Sequence, residues 1–313
     1  MPELPSIIAL FGGIALIVIG AEAFFNGLLG TARRLKTSAF FLTLLISGFE
    51  LENVVAGVAA NLAGFPGAAA GTFLGGTTFI ALAVAGISAI IVPVRVRPPG
   101  PFLAVTAVSG VPLAALALDN ELSRADGLLL IVWFVGAMVL LFRTTGASFV
   151  ADDADDEPAP RRAAVWLVGG LAAMTVGGEL LGQGLQSALT RFGVSPTLLG
   201  NTAVAALTEV EELGRVATPT RRGHPEVAVA NIGGTVLHFL SLNAGILAVV
   251  RPLPLDDATT RIHLPAAVLS PVILTATVAT GAGISRRAGV FLLVLYVAYI
   301  GASIAYAFGR GWW

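Results

Sequence analysis

Seven glutamates lie inside apolar stretches of this chain: Glu22, Glu50, Glu52, Glu179, Glu209, Glu211 and Glu212. An ionised carboxylate is costly in hydrocarbon, so each must take a proton, hold a cation or face water. Basic neighbours are sparse. The stretches 41–57 and 200–216 contain no Lys or Arg apart from Arg215 near one end, so ion pairing within the protein is expected to be scarce. What remains is chemistry with protons or bound cations. Glu209 and Glu212 are three residues apart and share a helix face, as do Glu50 and Asn53. Brought together, these faces offer Glu50, Glu209, Glu212 and the Asn53 amide oxygen. Thr208 adds a hydroxyl, and Glu52 and Glu211 flank the set. Hard oxygen ligands suit Ca²⁺, Mg²⁺, Mn²⁺, Na⁺ or protons rather than soft metals, and the absence of cysteine removes thiolate sites altogether.

The elements that carry these residues are duplicated. Thr43, Glu50, Glu52, Gly64, Pro66, Ala69 and Gly75 recur as Thr202, Glu209, Glu211, Gly223, Pro225, Ala228 and Gly234, always 159 positions on. Upstream, Gly20-Ala21-Glu22 resembles Gly177-Gly178-Glu179 at an offset of 157. Small residues at helical spacing, Gly71, Gly75 and Gly76 in one copy and Ala230, Gly233 and Gly234 in the other, predict close helix contact. Such contact would press Thr72, Thr77, Asn231 and Thr235 toward the glutamates. His238 reads as a packing residue one turn beyond.

Hydrophobic residues make up 56% of the 313 and charged residues 12%, with a mean hydropathy of +0.88, which marks a polytopic membrane protein. Apolar runs define ten spans, near 5–31, 38–62, 68–94, 100–118, 126–144, 163–190, 196–221, 225–250, 263–282 and 287–309. The first run reads as a retained span and not a signal peptide. The predicted fold is therefore all-α, with residues 1–150 and 163–313 as five-helix repeats joined by the acidic, solvated linker 151–162. Five is odd, so the repeats must be inverted with respect to the bilayer. Loops after odd-numbered spans, Arg215 included, hold 13 of the 18 Lys and Arg. By the positive-inside rule these loops and the linker are cytoplasmic, with both termini outside a plasma membrane.

The repeats resemble the alpha-repeats of the sodium/calcium exchanger family, within the cation/calcium antiporter superfamily, whose motif runs Gly-Thr-Ser-x-Pro-Glu, then Pro-Asp, then Gly-Asn-x-x-Gly-Ser-Asn. Thr43-Leu44-Leu45, Gly48, Pro66, Gly71 and Gly75 match it in the first copy. Thr208, Glu212, Pro225-Glu226, Asn231 and Gly234 match it in the second. Asn53 stands where the first family glutamate belongs, Glu50 and Glu209 replace serines, and Glu52 and Glu211 replace the prolines that break the helices. Ile80 and Phe239 take places where the family sets a polar side chain, which weakens sodium coupling relative to protons.

The resemblance implies a secondary antiporter that exchanges a divalent cation, Ca²⁺ first, for H⁺ or Na⁺ by alternating access. It implies no enzymatic reaction and no resident cofactor. Partners are inorganic cations and the lipid bilayer, with no nucleic acid. A cation channel and a non-transporting sensor on the same fold are the rival readings.

Overall fold

The computed structural model describes residues 4–35, 37–48, 50–145, 162–189, 196–281 and 283–309, so nearly all of the expected linker lies outside the described residues. Helix α1 spans Leu4–Leu35, followed by the short helices α2 (Ala39–Ile46) and α3 (Leu51–Leu62). A long run then joins α4 (Pro66–Thr78), a π-helical stretch Phe79–Val84 and α5 (Ala85–Ile91). Helices α6 (Gly100–Val108) and α7 (Val111–Leu116) precede α8 (Arg124–Thr145). The second half begins with α9 (Ala163–Leu189), then α10 (Pro196–Leu199), a π-helical stretch Gly200–Val204, α11 (Ala205–Thr208) and α12 (Glu212–Arg221). Helix α13 (Pro225–Leu237), a π-helical stretch His238–Asn243 and α14 (Ala244–Val250) form its long run. Helices α15 (Leu264–Gly281) and α16 (Arg286–Gly309) complete it. A two-stranded antiparallel ribbon pairs β1 (Glu121–Leu122) with β2 (Leu253–Pro254).

The two long runs have the same build. Every boundary in α4, its π-helical stretch and α5 recurs 159 residues later in α13, its π-helical stretch and α14. Each run starts with proline at the first turn, where a missing N–H costs nothing. Each is preceded by a glycine at positive φ, Gly64 at +86° and Gly223 at +84°, a conformation that a Cβ would strain. These runs are the most buried spans, while α8 and α16 lie at the periphery.

Seven helical segments among the described residues are long and apolar enough to cross a membrane. The other three expected spans are α9 and the segments 38–62 and 196–221. Those two segments are not continuous helices. The first breaks between α2 and α3, the second between α11 and α12.

Glycines bring the helices together in matched pairs. A Cβ on Gly20 of α1 would lie 2.8 Å from the Gly170 carbonyl oxygen of α9, and one on Gly177 would lie 2.7 Å from that of Gly13. Gly86 meets Gly289 between α5 and α16 as Gly245 meets Gly127 between α14 and α8. Gly71 and Gly75 of α4 press on the backbone at Gly200 and Asn201, and Gly234 of α13 on Leu44 and Ser47 beside α2. Each broken segment thus packs on the long run of the other half.

Gly71→Ala sets a methyl against the Gly200 backbone and is expected to destabilise the protein by roughly 1–3 kcal/mol. Gly136→Ala on α8, with no neighbour within 4 Å, should stay within about 0.5 kcal/mol of the parent. Thermal melting of both variants in detergent checks this, and coincident melts would show that α4 tolerates a side chain there.

Candidate functional site

Both helix breaks form without proline. In the first, α2 ends at Ser47, and Glu50 adopts extended backbone (φ −96°, ψ 92°) as the residue that starts α3. Gly48 makes the break feasible, because a Cβ there would collide with the His238 ring. In the second, Glu209 ends α11, and the chain tightens before α12. The Glu212 N–H donates to the Glu209 carbonyl at 3.1 Å and the Gly214 N–H to the Glu211 carbonyl at 2.8 Å, each three residues back. The carboxylates therefore sit at helix ends. Glu50 and Glu212 lie at helix N-termini, where the peptide dipole favours negative charge.

The breaks meet in the interior, with Glu50 4%, Asn53 3%, Glu209 0%, Glu211 2% and Glu212 0% exposed. Asn53 bridges the halves, its amide nitrogen donating to Glu50 Oε2 at 2.6 Å and to Glu209 Oε1 at 2.7 Å. The nitrogen, rather than the oxygen expected from sequence, faces both acids. Asn231 on α13 donates to Glu212 Oε2. Gly76 leaves room for the Phe239 ring, since a Cβ there would lie 2.5 Å from Phe239 Cε2.

Arg215 overturns the expectation of scarce ion pairing. Assigned from sequence to a loop, it is 2% exposed and reaches into the cluster from α12. Its Nη1 donates to Glu50 Oε1 at 2.8 Å, to Glu212 Oε1 at 2.5 Å and to the Ser47 carbonyl at 3.3 Å. Its Nη2 donates to Glu211 Oε1, and its guanidinium carbon lies 6.0 Å from the Phe24 ring centroid. The signal was in the sequence: Arg215 stands three and four residues after Glu212 and Glu211, on one helix face. A guanidinium in the core also removes one cation from the loop tally, and the asymmetry survives its loss.

The other candidates divide. Glu211 joins the cluster through Arg215. Thr208 is exposed, its hydroxyl directed at the carbonyls of Val204 and Ala205 and 3.4 Å from Glu209 Oε1. Thr72, Thr77 and Thr235 turn their hydroxyls to their own helices and add nothing to the cluster through them. His238 bonds the Gly234 carbonyl and packs edge-on against Phe134. Ile80 and Phe239 are fully buried packing residues. Glu22 lies apart, paired with Arg222 at the surface. The side chains of Glu52 and Glu179 lie outside the described residues.

Three buried carboxylates, Glu50, Glu211 and Glu212, thus pair with one guanidinium, and a fourth, Glu209, joins them through Asn53. Among the described residues no three of His, Cys, Asp and Glu are arranged to enclose a metal ion. Three polar atoms of the cluster have no hydrogen-bond partner: Glu209 Oε2, Asn231 Oδ1 and Arg215 Nε. Two of these are hard oxygens of the kind that bind alkali and alkaline-earth cations.

Known proteins resemble this chain in sequence or in fold. The sequence profile described as sodium/calcium exchanger protein matches residues 5–143 and 162–305. The putative antiporter CaxA of Alkalimonas amylolytica is 27% identical over 306 residues, covering 92% of this chain and 95% of that protein. The inner membrane protein YrbG of Escherichia coli (strain K12) is 26% identical over 233 residues, 69% of this chain and 70% of that one. A solved structure of the sodium-calcium exchanger NCX_Mj, soaked with Na⁺ and Sr²⁺, matches with a TM-score of 0.80 at 22% identity, over 96% of this chain and 99% of that one. That last likeness concerns the fold.

Asn53→Leu removes the donor from Glu50 Oε2 and Glu209 Oε1 together. The expected cost is roughly 1–3 kcal/mol for the Glu50 oxygen left without a donor, with a smaller loss at Glu209 Oε1, which keeps the Thr208 hydroxyl, read as a lowered melting temperature at neutral pH. A melt equal to the parent's would mean that the amide does not hold the two halves' acids together.

Proposed function

The chain belongs to the sodium/calcium exchanger family, and from that premise we propose that it is a secondary antiporter exchanging a divalent cation, Ca²⁺ first, for H⁺ or Na⁺. The observation that carries this reading is the buried meeting of Glu50, Asn53, Glu209 and Glu212 at two helix breaks, with Glu209 Oε2 and Asn231 Oδ1 left unpartnered. Glu209 and Glu212 from one half and Glu50 from the other bind the cation, with Asn53 and Asn231 orienting them. Glu211 acts through Arg215, Thr208 stands at the margin of the site, and Glu52 is assigned to it from its place in the sequence alone. Apolar Ile80 and Phe239, together with an excess of carboxylates that exchange protons, favour H⁺ over Na⁺ as the coupling ion. The protein performs no bond-making chemistry and needs no cofactor beyond its transported ions.

Ten spans in two inverted five-helix repeats, 1–150 and 163–313, fit this role. The matched boundaries of the long runs and the paired glycine contacts support a two-fold relation between the halves, which places equivalent positions on opposite faces of the membrane. The chain is then a multi-pass protein of the plasma membrane with both termini outside and the linker 151–162 cytoplasmic. Alternating access follows when the broken segments rock against the long runs and open the site to one side at a time.

Purified protein in proteoliposomes should exchange Ca²⁺ with a steeper dependence on the pH gradient than on a Na⁺ gradient, and Glu209→Gln should abolish exchange while keeping a folded protein. Full exchange driven by Na⁺ at clamped pH, with no proton movement, would refute proton coupling; full activity in Glu209→Gln would move the site elsewhere.

Topology is checked separately in this cysteine-free chain. Cysteines introduced at Arg97 and Asp257, exposed and near-equivalent positions of the two halves, should be labelled from opposite faces. Labelling from one face sinks the inverted arrangement.

A further inference from the structure

We propose that Arg215 is a tethered cation of the transport site, competing with the transported cation for Glu50 and Glu212. The inference rests on the antiport reading above and goes beyond it, because nothing in that reading requires a fixed positive charge at the site.

The geometry supports an ion held in a cation's place. Arg215 donates to one carboxylate of the first half, Glu50, and to two of the second, Glu211 and Glu212. It also takes the Ser47 carbonyl, freed where α2 ends, which is the type of backbone oxygen that a metal ion would use. A guanidinium stays charged inside a protein, so its positive charge is permanent. It nevertheless leaves the site unfinished. Four buried carboxylates face one positive charge, Glu209 receives nothing from Arg215, and Glu209 Oε2 stays unpartnered. Mobile cations or protons must supply the rest.

The tether is also built to let go. Arg215 Nε has no hydrogen-bond partner, so the guanidinium is not locked in a complete fork. The guanidinium carbon also lies 6.0 Å from the Phe24 ring centroid on α1, an aromatic face within reach of the cation. The position equivalent to Arg215 in the first half is Ala56, so the device exists once per molecule and breaks the symmetry of the repeat. In the cycle, the incoming cation engages Glu209 first and then takes Glu50 and Glu212 as Arg215 withdraws. On release, the guanidinium returns, and the site reorients with one mobile positive charge fewer than its carboxylates alone would demand.

The test is binding of Ca²⁺, Mn²⁺ and Na⁺, each as the chloride, to full-length protein in detergent by calorimetry at constant pH and ionic strength. A short tether presents its charge at an effective concentration of millimolar or above, so Arg215→Met should bind at least one of these cations about tenfold more tightly than the parent. Arg215→Lys, which keeps the tethered charge, should stay near the parent. A folded Arg215→Met that binds no more tightly overturns the proposal. If Arg215→Met fails to fold, Glu211→Gln/Arg215→Met is compared with Glu211→Gln: tighter binding in the double variant supports the tether, and equal binding overturns it. Flux in proteoliposomes separates the two readings. A parent that exchanges cations, with no gain in Arg215→Met, removes only the tether; a parent and variants that neither bind nor exchange cations remove the antiport reading itself.

Discussion

The interior of this protein is organised by the need to keep several carboxylates out of water. Charges buried in a low-dielectric medium lose hydration worth several kcal/mol each, and only close partners restore it. Arg215 supplies the largest part of that compensation, to Glu50, Glu211 and Glu212 together. Deleting one member of such a buried set strands the others, so the position of α12 against α2 and α3 is tied to the guanidinium. Asn53 plays the neutral counterpart, joining Glu50 to Glu209.

The helix breaks follow from the same requirement. A continuous helix has no free backbone carbonyl mid-span and no N-terminus there to favour an acid. Ending α2 at Ser47 provides a carbonyl for Arg215, and starting α3 at Glu50 and α12 at Glu212 puts two carboxylates at positive helix ends. Packing makes the breaks permissible. Gly48 admits His238, Gly76 admits Phe239, and Gly71, Gly75 and Gly234 let the long runs close on the broken segments. The glycine pairs between α1 and α9 extend the same close approach to the outside of the cluster.

The two halves share a backbone plan but not a charge plan. Their long runs agree boundary for boundary, whereas the second half carries Glu212 and Arg215 where the first carries Asn53 and Ala56. One repeat thus holds most of the charge, and the other frames it with Glu50 and an amide. Glu209 Oε2 and Asn231 Oδ1 are the buried carboxylate and amide oxygens of this cluster that no donor among the described residues reaches.

Composition alone determined that the chain is a helical membrane protein, because no soluble core tolerates so few charges. The duplication was legible because both copies keep the same residues at one fixed offset. The meeting of Glu50, Asn53 and Glu209 was expected from the matched positions of the two copies, although Glu209 and Glu212 come together across a helix break and not on one continuous helix face. Two features were decided only by tertiary structure. The family resemblance pointed to breaks here but Glu52 and Glu211 replace the prolines that would make them, so only the packed structure decided that they form, where glycine-lined contacts and buried charge outweigh helix continuity. Arg215 read as a loop cation because it follows an apolar run near a charged turn. Its spacing to Glu211 and Glu212 made pairing feasible, but burial required Glu50 and Ser47, more than 160 residues away, and that closure is a property of the packed helices rather than of any segment.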